Sequence, residues 1–286
     1  MTAAILDGIV LGLQFGLLAV GLTLVYGIGG VLNLAYGQMV VVAAIAASLA
    51  IGTGLPVGLA IGVGLVAGGV FGLIMDKTLL RPVYRRHGEP RVLLSLLLTL
   101  GLAFIVDGLL LWRYPLEGLT LHITGGPVEI LGVPMRRGSL LASAIAVVAF
   151  IGLFLFFRNT ILGRAVRSVI QNEEGARMVG IDPKRMRTFI LVSSGLLAAL
   201  VAVTRSMSIP VTVTSGISLT IFALIVTVVG GLGSVAGAFL AGIILGIVSS
   251  ISASFIGTFL TLIILLGAAA LTILLRPSGL LGVPEE

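Results

Sequence analysis

Three uncharged polar side chains, Asn33, Tyr36 and Gln38, interrupt a long apolar stretch in GIGGVLNLAYGQM, residues 27–39, among Gly27, Gly29, Gly30 and Gly37. Their amide and hydroxyl groups can hydrogen-bond a passing polar solute; they cannot break a covalent bond. Two placements remain open. The segment is either a capped turn between helices, or it folds back into a membrane where it lines a protected cavity. Asp107 is the one acidic residue well inside an apolar run, and an intramembrane carboxylate is a functional candidate by default. It lies about five residues from the outer end of that run, roughly 7–8 Å at helical rise, within reach of interfacial water. A structural pair with Arg113 or Arg205 is the leading expectation for it. No Ser-His-Asp set, carboxylate pair or metal cluster occurs in the apolar runs, there is no cysteine, and His87 and His122 are isolated. The G-x-x-x-x-G-K-[ST] phosphate loop is missing and lysine occurs only at positions 77 and 184, so nucleotide hydrolysis belongs on another chain.

The elements that position these groups follow from composition. Of 286 residues, 58% are hydrophobic and 10% charged, against about 25% charged in soluble domains. Repeated apolar segments of roughly 20 residues fit spanning helices, whereas a membrane barrel would show short alternating segments. The 40 glycines are about twice the usual share and suit closely packed membrane helices. The sequence therefore predicts an all-α polytopic bundle forming one transmembrane domain over 1–286. Candidate spans fall near 8–28, 38–54, 56–75, 92–112, 139–157, 188–205, 217–230, 235–253 and 256–275. The second and seventh are short and read as partial or broken helices, giving eight or nine crossings. The N-terminus has neither a basic region nor a clear cleavage site, so the first segment reads as a retained helix.

The net charge of +6 does not describe a nucleic-acid face, because the cations cluster in two breaks. Lys77, Arg81, Arg85, Arg86 and Arg91 occupy 76–91. Arg158, Arg164, Arg167, Arg177, Lys184, Arg185 and Arg187 occupy 158–187. By the positive-inside rule both breaks face the cytoplasm. The nearly balanced 113–138 segment lies outside, as does the N-terminus if all nine spans cross. In the second break, Gly163 to Val179 reads as one short helix. Ala165, Val169, Ala176 and Val179 form its apolar side, and Arg164, Arg167, Glu173, Glu174 and Arg177 its charged side. Asp182 is placed to cap a helix beginning at Pro183. The mixed charge suits a protein interface better than a purely lipid-binding surface.

Late in the chain, Gly233, Gly237 and Ala241 recur every four residues, and Gly242 and Gly246 repeat the spacing. Such a stripe lets another helix backbone approach closely. Gly230 and Gly231 ahead of it weaken helix continuity, so tight packing and lining of a permeation path are both open. The ladders Gly8/Gly12/Gly16, Gly58/Gly62 and Gly64/Gly68/Gly72 read as packing surfaces.

EGARMVG, Glu174 to Gly180, resembles the E-A-A-x-x-x-G signature of permease subunits of bacterial ABC importers, with Gly175 in place of the first alanine. NLAYGQM, GRAVRSVIQNEEGARMVGID, VVGGLGSVAGAFLAGIILG and LLRPSGLLG resemble, in order, segments of the branched-chain amino acid permease family (LivH-like). The likeness runs over nearly the whole chain. One departure is Tyr36, where the family often has His. The resemblance implies a permease subunit in a bacterial or archaeal cytoplasmic membrane, moving leucine, isoleucine, valine or a similar small amino acid or amide by ATP-driven alternating access. It implies a second related permease or second copy, two cytoplasmic ABC ATPases that hold the ATP, and an extracytoplasmic solute-binding protein. No cofactor or metal on this chain and no nucleic-acid partner are expected. Asn33, Tyr36, Gly37, Gln38, Gly230, Gly231 and Gly233 are then candidates for the substrate pathway. Arg164, Arg167, Glu173, Glu174, Ala176 and Gly180 are candidates for coupling to the ATPases. The rival reading is a self-contained ion-coupled secondary transporter of a small polar solute, but Asp107 offers it little charge inside the membrane.

Overall fold

The computed structural model describes residues 1–86, 88–123, 126–130, 132–276 and 278–282. Every expected span has a helix at its position. These are α1 (Thr2–Gly29), α2 (Tyr36–Gly52), α3 (Val57–Met75), α5 (Glu89–Arg113), α6 (Arg137–Asn159), α9 (Pro183–Ser206), α10 (Ser215–Gly230), α11 (Val235–Ile256) and α12 (Thr258–Leu275). Among the described residues, six helices are long and apolar enough to cross a membrane; α2, with 17 residues, and α10, with 16, are the expected short ones. Chain α3 runs on through a π-helical turn, Asp76–Leu80, into α4 (Arg81–Val83). The second basic break forms α7 (Ile161–Gln171) and α8 (Glu173–Met178).

The centre of the bundle is α1. It is apolar on every side, and 83% of its spanning window is buried, against 22% for α5 and 11% for α6. A helix hydrophobic all round belongs inside. Its face of Gly8, Gly12 and Gly16 meets α11 at Ile247, Ile243 and Phe239, and a Cβ on Gly12 would stand 2.6 Å from the Ile243 Cα. From the other side Gly242 and Gly246 lie on Gly16 and Gly12, so this part of the late stripe packs. Gly64 faces Ala43 of α2, while Gly68 and Gly72 face Gly195 and Leu191 of α9. The expectation fails for Gly58 and Gly62: both open away from every neighbouring atom within 4 Å, because this stretch of α3 lies on the rim of the bundle.

The two basic breaks share one end of the molecule, where Thr188 donates to Asp76 and Arg187 stacks over Tyr84 at 4.5 Å. The opposite end carries two small antiparallel pairs. In one, β1 (Gly118–Leu119) pairs with β4 (Val211–Thr212), in register Gly118 with Thr212. In the other, β2 (Val128–Ile130) pairs with β3 (Val133–Met135), in register Val128 with Met135.

Candidate translocation path and coupling surface

At the basic end α1 stops in a left-handed turn. Gly30 has φ 56°, and its N–H donates to the Tyr26 carbonyl at 2.7 Å. The chain then turns back into the bundle along α5. Leu32 N–H donates to Ser95 Oγ at 3.3 Å and Leu34 N–H to Thr99 Oγ1 at 3.0 Å. The spacing explains the fit. Four residues of helix rise about 6 Å and two residues of extended chain about 6.6 Å, so one helical turn of hydroxyls meets alternate amides. Ser95 and Thr99 lie six and ten residues from the start of α5, roughly 9–15 Å inward. The segment is thus re-entrant, and its freed backbone groups are met by protein, as a low-dielectric surround demands.

Asn33, Tyr36 and Gln38 are fully buried. Asn33 Oδ1 accepts from Ala35 N–H at 3.0 Å, an Asx turn, and its Nδ2 donates to Met39 Sδ at 3.4 Å. Tyr36 lays its hydroxyl into the space left by Gly21 of α1. Gly37 sits against Gly216 of α10, and its N–H donates to Thr220 Oγ1 at 2.9 Å. Gln38 packs on Gly216 and donates through Nε2 to Asp107 Oδ1 across a long 3.4 Å. The expected pairing of Asp107 with Arg113 or Arg205 does not form. Arg113 instead stacks over Tyr114 at 4.7 Å, and α2 brings Gln38 to the carboxylate first. The segment is therefore a buried re-entrant connection leading into a helix that starts inside the bundle.

Gly230, Gly231 and Gly233 lie elsewhere, ten or more residues along α10 from Thr220, roughly 15 Å or more by helical rise. They form the connection to α11 at the basic end, with φ 104° at Gly231 and 88° at Gly233, values that favour glycine. Gly233 faces Gly27, and Gly237 faces Gly230. The chain's last described residues clasp this connection: Leu280 N–H donates to the Val229 carbonyl at 2.9 Å and Leu281 N–H to the Gly230 carbonyl at 3.2 Å. Gly231 and Gly279 pack backbone to backbone. The SGLLG part of the RPSGLLG motif, residues 278–282, thus caps the C-terminus of α10, a role its sequence alone does not reveal.

The expected single helix over Gly163–Val179 is two helices. Asn172 has extended backbone and caps α8, its side chain accepting from Gly175 N–H at 2.8 Å. Val166, Val169 and Ala176 are the buried apolar groups, while Val179 is exposed, because α8 has already ended. Gly180 has φ 84° and Ile181 N–H reaches back to the Ala176 carbonyl at 2.9 Å, a left-handed helix stop. This accounts physically for the small residue and glycine of the E-G-A-x-x-x-G spacing. Asp182 caps α9 as expected, accepting from Lys184 N–H at 2.9 Å.

The candidate coupling charges divide by role. Arg167 donates to the carbonyls of Phe157 and Arg158 and ties α7 to the end of α6. Glu173 accepts from Arg177 at 2.6 Å and from buried Arg187. Arg164 and Glu174 are exposed and make no side-chain hydrogen bond or ion pair among the described residues. Beside Glu174, Met178 and Val179 stand 85% and 74% exposed. Behind the loop, Tyr84 is half-buried with its hydroxyl enclosed; burial, reinforced by the Asp76 charge, pushes its hydroxyl pKa up and keeps it neutral, with Arg187 and Arg91 opposing.

Residues 4–275 match the family model described as the branched-chain amino acid transport system permease component. The chain belongs to that family. This permease is 28% identical to the high-affinity branched-chain amino acid transport permease BraD of Pseudomonas aeruginosa, over 98% of this chain and 95% of the relative. It is 26% identical to LivH of Escherichia coli over 69% and 68% of the two chains. In fold it resembles PsaBC from Streptococcus pneumoniae, with TM-score 0.53 and 10% identity over 96% of this chain and 92% of the other. The family resemblance carried by the sequence segments is borne out, and the importer-permease reading stands over the ion-coupled one.

Proposed function

We propose that this permease forms half of a transmembrane pathway for branched-chain or closely related amino acids. In this reading it pairs with a second copy or a related permease and sits on two ATPases that hold the ATP. A solute-binding protein delivers the substrate at the opposite, extracytoplasmic end of a bacterial or archaeal cytoplasmic membrane. The observation that carries the coupling role is the exposed tip of Glu174, Met178 and Val179 on the basic end. It presents an unpaired carboxylate and an apolar patch, held rigid from behind by Glu173 and Arg187. Displacement of α7 and α8 by the ATPases is transmitted through Arg187 to Tyr84 and through Thr188 to Asp76, at the ends of α9 and the α3–α4 run.

Within the bundle, the pathway group is Asn33, Tyr36, Gly37 and Gln38, with Asp107 beside them. Tyr36, Gly37 and Gln38 reach from α2 to α1, α10 and α5, so relative motion of α2 opens these groups to a solute. Gly230, Gly231 and Gly233 act in this scheme as the hinge at the basic end of α10. Reconstitution with candidate ABC ATPases and a candidate solute-binding protein tests the reading. Leucine uptake is expected to need ATP, and Glu174→Ala with Met178→Ser is expected to reduce it at least tenfold while the permease still assembles. Uptake by this chain alone, driven by an ion gradient, overturns the proposal.

A further inference from the structure

Behind the coupling tip lies a pocket of about 320 Å³ between the α3–α4 run and the start of α9. Six cations line it: Lys77, Arg81, Arg85, Arg177, Lys184 and Arg187. Against them stand Asp76 in the wall, already engaged by Thr188, and Glu173 nearby, shared between Arg177 and Arg187. Lys77, Arg81, Arg85 and Lys184 form no ion pair among the described residues. Two further donors in the wall are buried without a protein partner: Arg187 Nε, on a residue 4% exposed, and the Tyr84 hydroxyl. An excess of positive charge together with buried, unmatched N–H and O–H groups is the complement of an anion with several oxygens.

We infer that this pocket binds a phosphate-bearing anion, supplied by an anionic phospholipid headgroup or by free phosphate. Guanidinium groups match phosphate oxygens bidentately. The pocket lies at the ends of spanning segments, and basic pockets between such helices on that side of a membrane suit lipid headgroups. Its occupant would touch both the Arg187–Glu173 link to α8 and the end of the α3–α4 run, and would stiffen the connection between the coupling helices and the bundle.

The test uses the full chain purified in phosphatidylcholine nanodiscs, with phosphatidylglycerol or inorganic phosphate as the probe. Arg81→Gln/Arg85→Gln/Lys184→Gln alters only exposed side chains, and Tyr84→Phe removes one buried donor. Native mass spectrometry is expected to show saturable retention of phosphatidylglycerol over phosphatidylcholine. Retention is expected to weaken roughly tenfold in the triple variant and measurably in Tyr84→Phe. Displacement of the lipid by millimolar inorganic phosphate would assign the site to free phosphate, and indifference to it would assign the site to the headgroup. Either result supports the anion site. Failure of both probes to bind saturably, or equal binding by wild type and triple variant, overturns it. So does a triple variant that binds both probes normally but loses ATPase association, since the cations would then serve a protein contact.

Discussion

Replacing Gly21 by alanine probes the seat of Tyr36 directly. An ideal Cβ at Gly21 would stand 1.9 Å from the phenolic oxygen, 2.5 Å from Cζ and 3.0 Å from Cε2. Carbon atoms pack at about 3.5–4.0 Å, so the ring must withdraw by about 1 Å within a site where Tyr36 is wholly enclosed. Overpacking of this kind costs about 1–3 kcal/mol, and the better helix propensity of alanine returns up to about 1 kcal/mol. The expected net loss is about 1–2 kcal/mol, or roughly 2–8 °C in melting temperature for a chain of this size. Tyr36→Phe keeps Cζ in place and restores only part of the loss; Tyr36→Leu removes the ring and restores more. A thermal melt of all four members of the Gly21→Ala/Tyr36→Leu cycle should return a coupling of about 1 kcal/mol or more. Additive losses, or an alanine variant as stable as wild type, would refute the claim that the phenol fills the glycine notch.

Other expectations rest on single contacts. Thr99→Val leaves Leu34 N–H buried without an acceptor and should cost about 1–3 kcal/mol, while Thr99→Ser stays close to wild type; thermal melts compare the two. Glu173→Ala strips buried Arg187 of a half-buried carboxylate and should destabilise by about 1–3 kcal/mol, exposing the α7–α8 segment to limited proteolysis. Glu174→Ala, one residue on, should move stability by less than about 0.5 kcal/mol yet lower ATP-coupled uptake in vesicles, by less than the double variant with Met178→Ser does. Asp107→Asn preserves an acceptor for Gln38, so ATP-driven uptake measured across a pH series should keep the wild-type profile; a lost or shifted profile would make the carboxylate a proton carrier.

The spans were readable because a bilayer demands about twenty apolar residues per crossing, and the short α2 and α10 showed as deficits against that length. Asp182 was readable because a cap acts over two residues. Asn172 carries the same local chemistry, but it sits inside a run whose periodicity reads as one helix. The seat of Tyr36 in Gly21, the clamp of Ser95 and Thr99 on Leu32 and Leu34, and the clasp of Leu280 on Val229 all join residues far apart in sequence. A single chain gives no sign of which distant partner a polar group will meet. A local hint existed for the clamp, since Ser95 and Thr99 are the only polar side chains from residue 92 to 106 and stand one helical turn apart. Asp107 drew attention as an isolated charge, yet its nearest basic residues in sequence and span were the wrong partners, because the re-entrant segment delivers Gln38 to it.

The contact between the glycine face of α1 and α11 joins two helices made far apart in time. Gly12 meets Gly246, and at about 5–20 residues per second the ribosome needs roughly ten to fifty seconds to travel from one to the other. For that interval the molecule's innermost helix has no partner for its closest-packed side, the face of Gly8, Gly12 and Gly16. The centre of this bundle is therefore enclosed late in its synthesis, and its biogenesis depends on whatever the membrane holds against α1 while it waits.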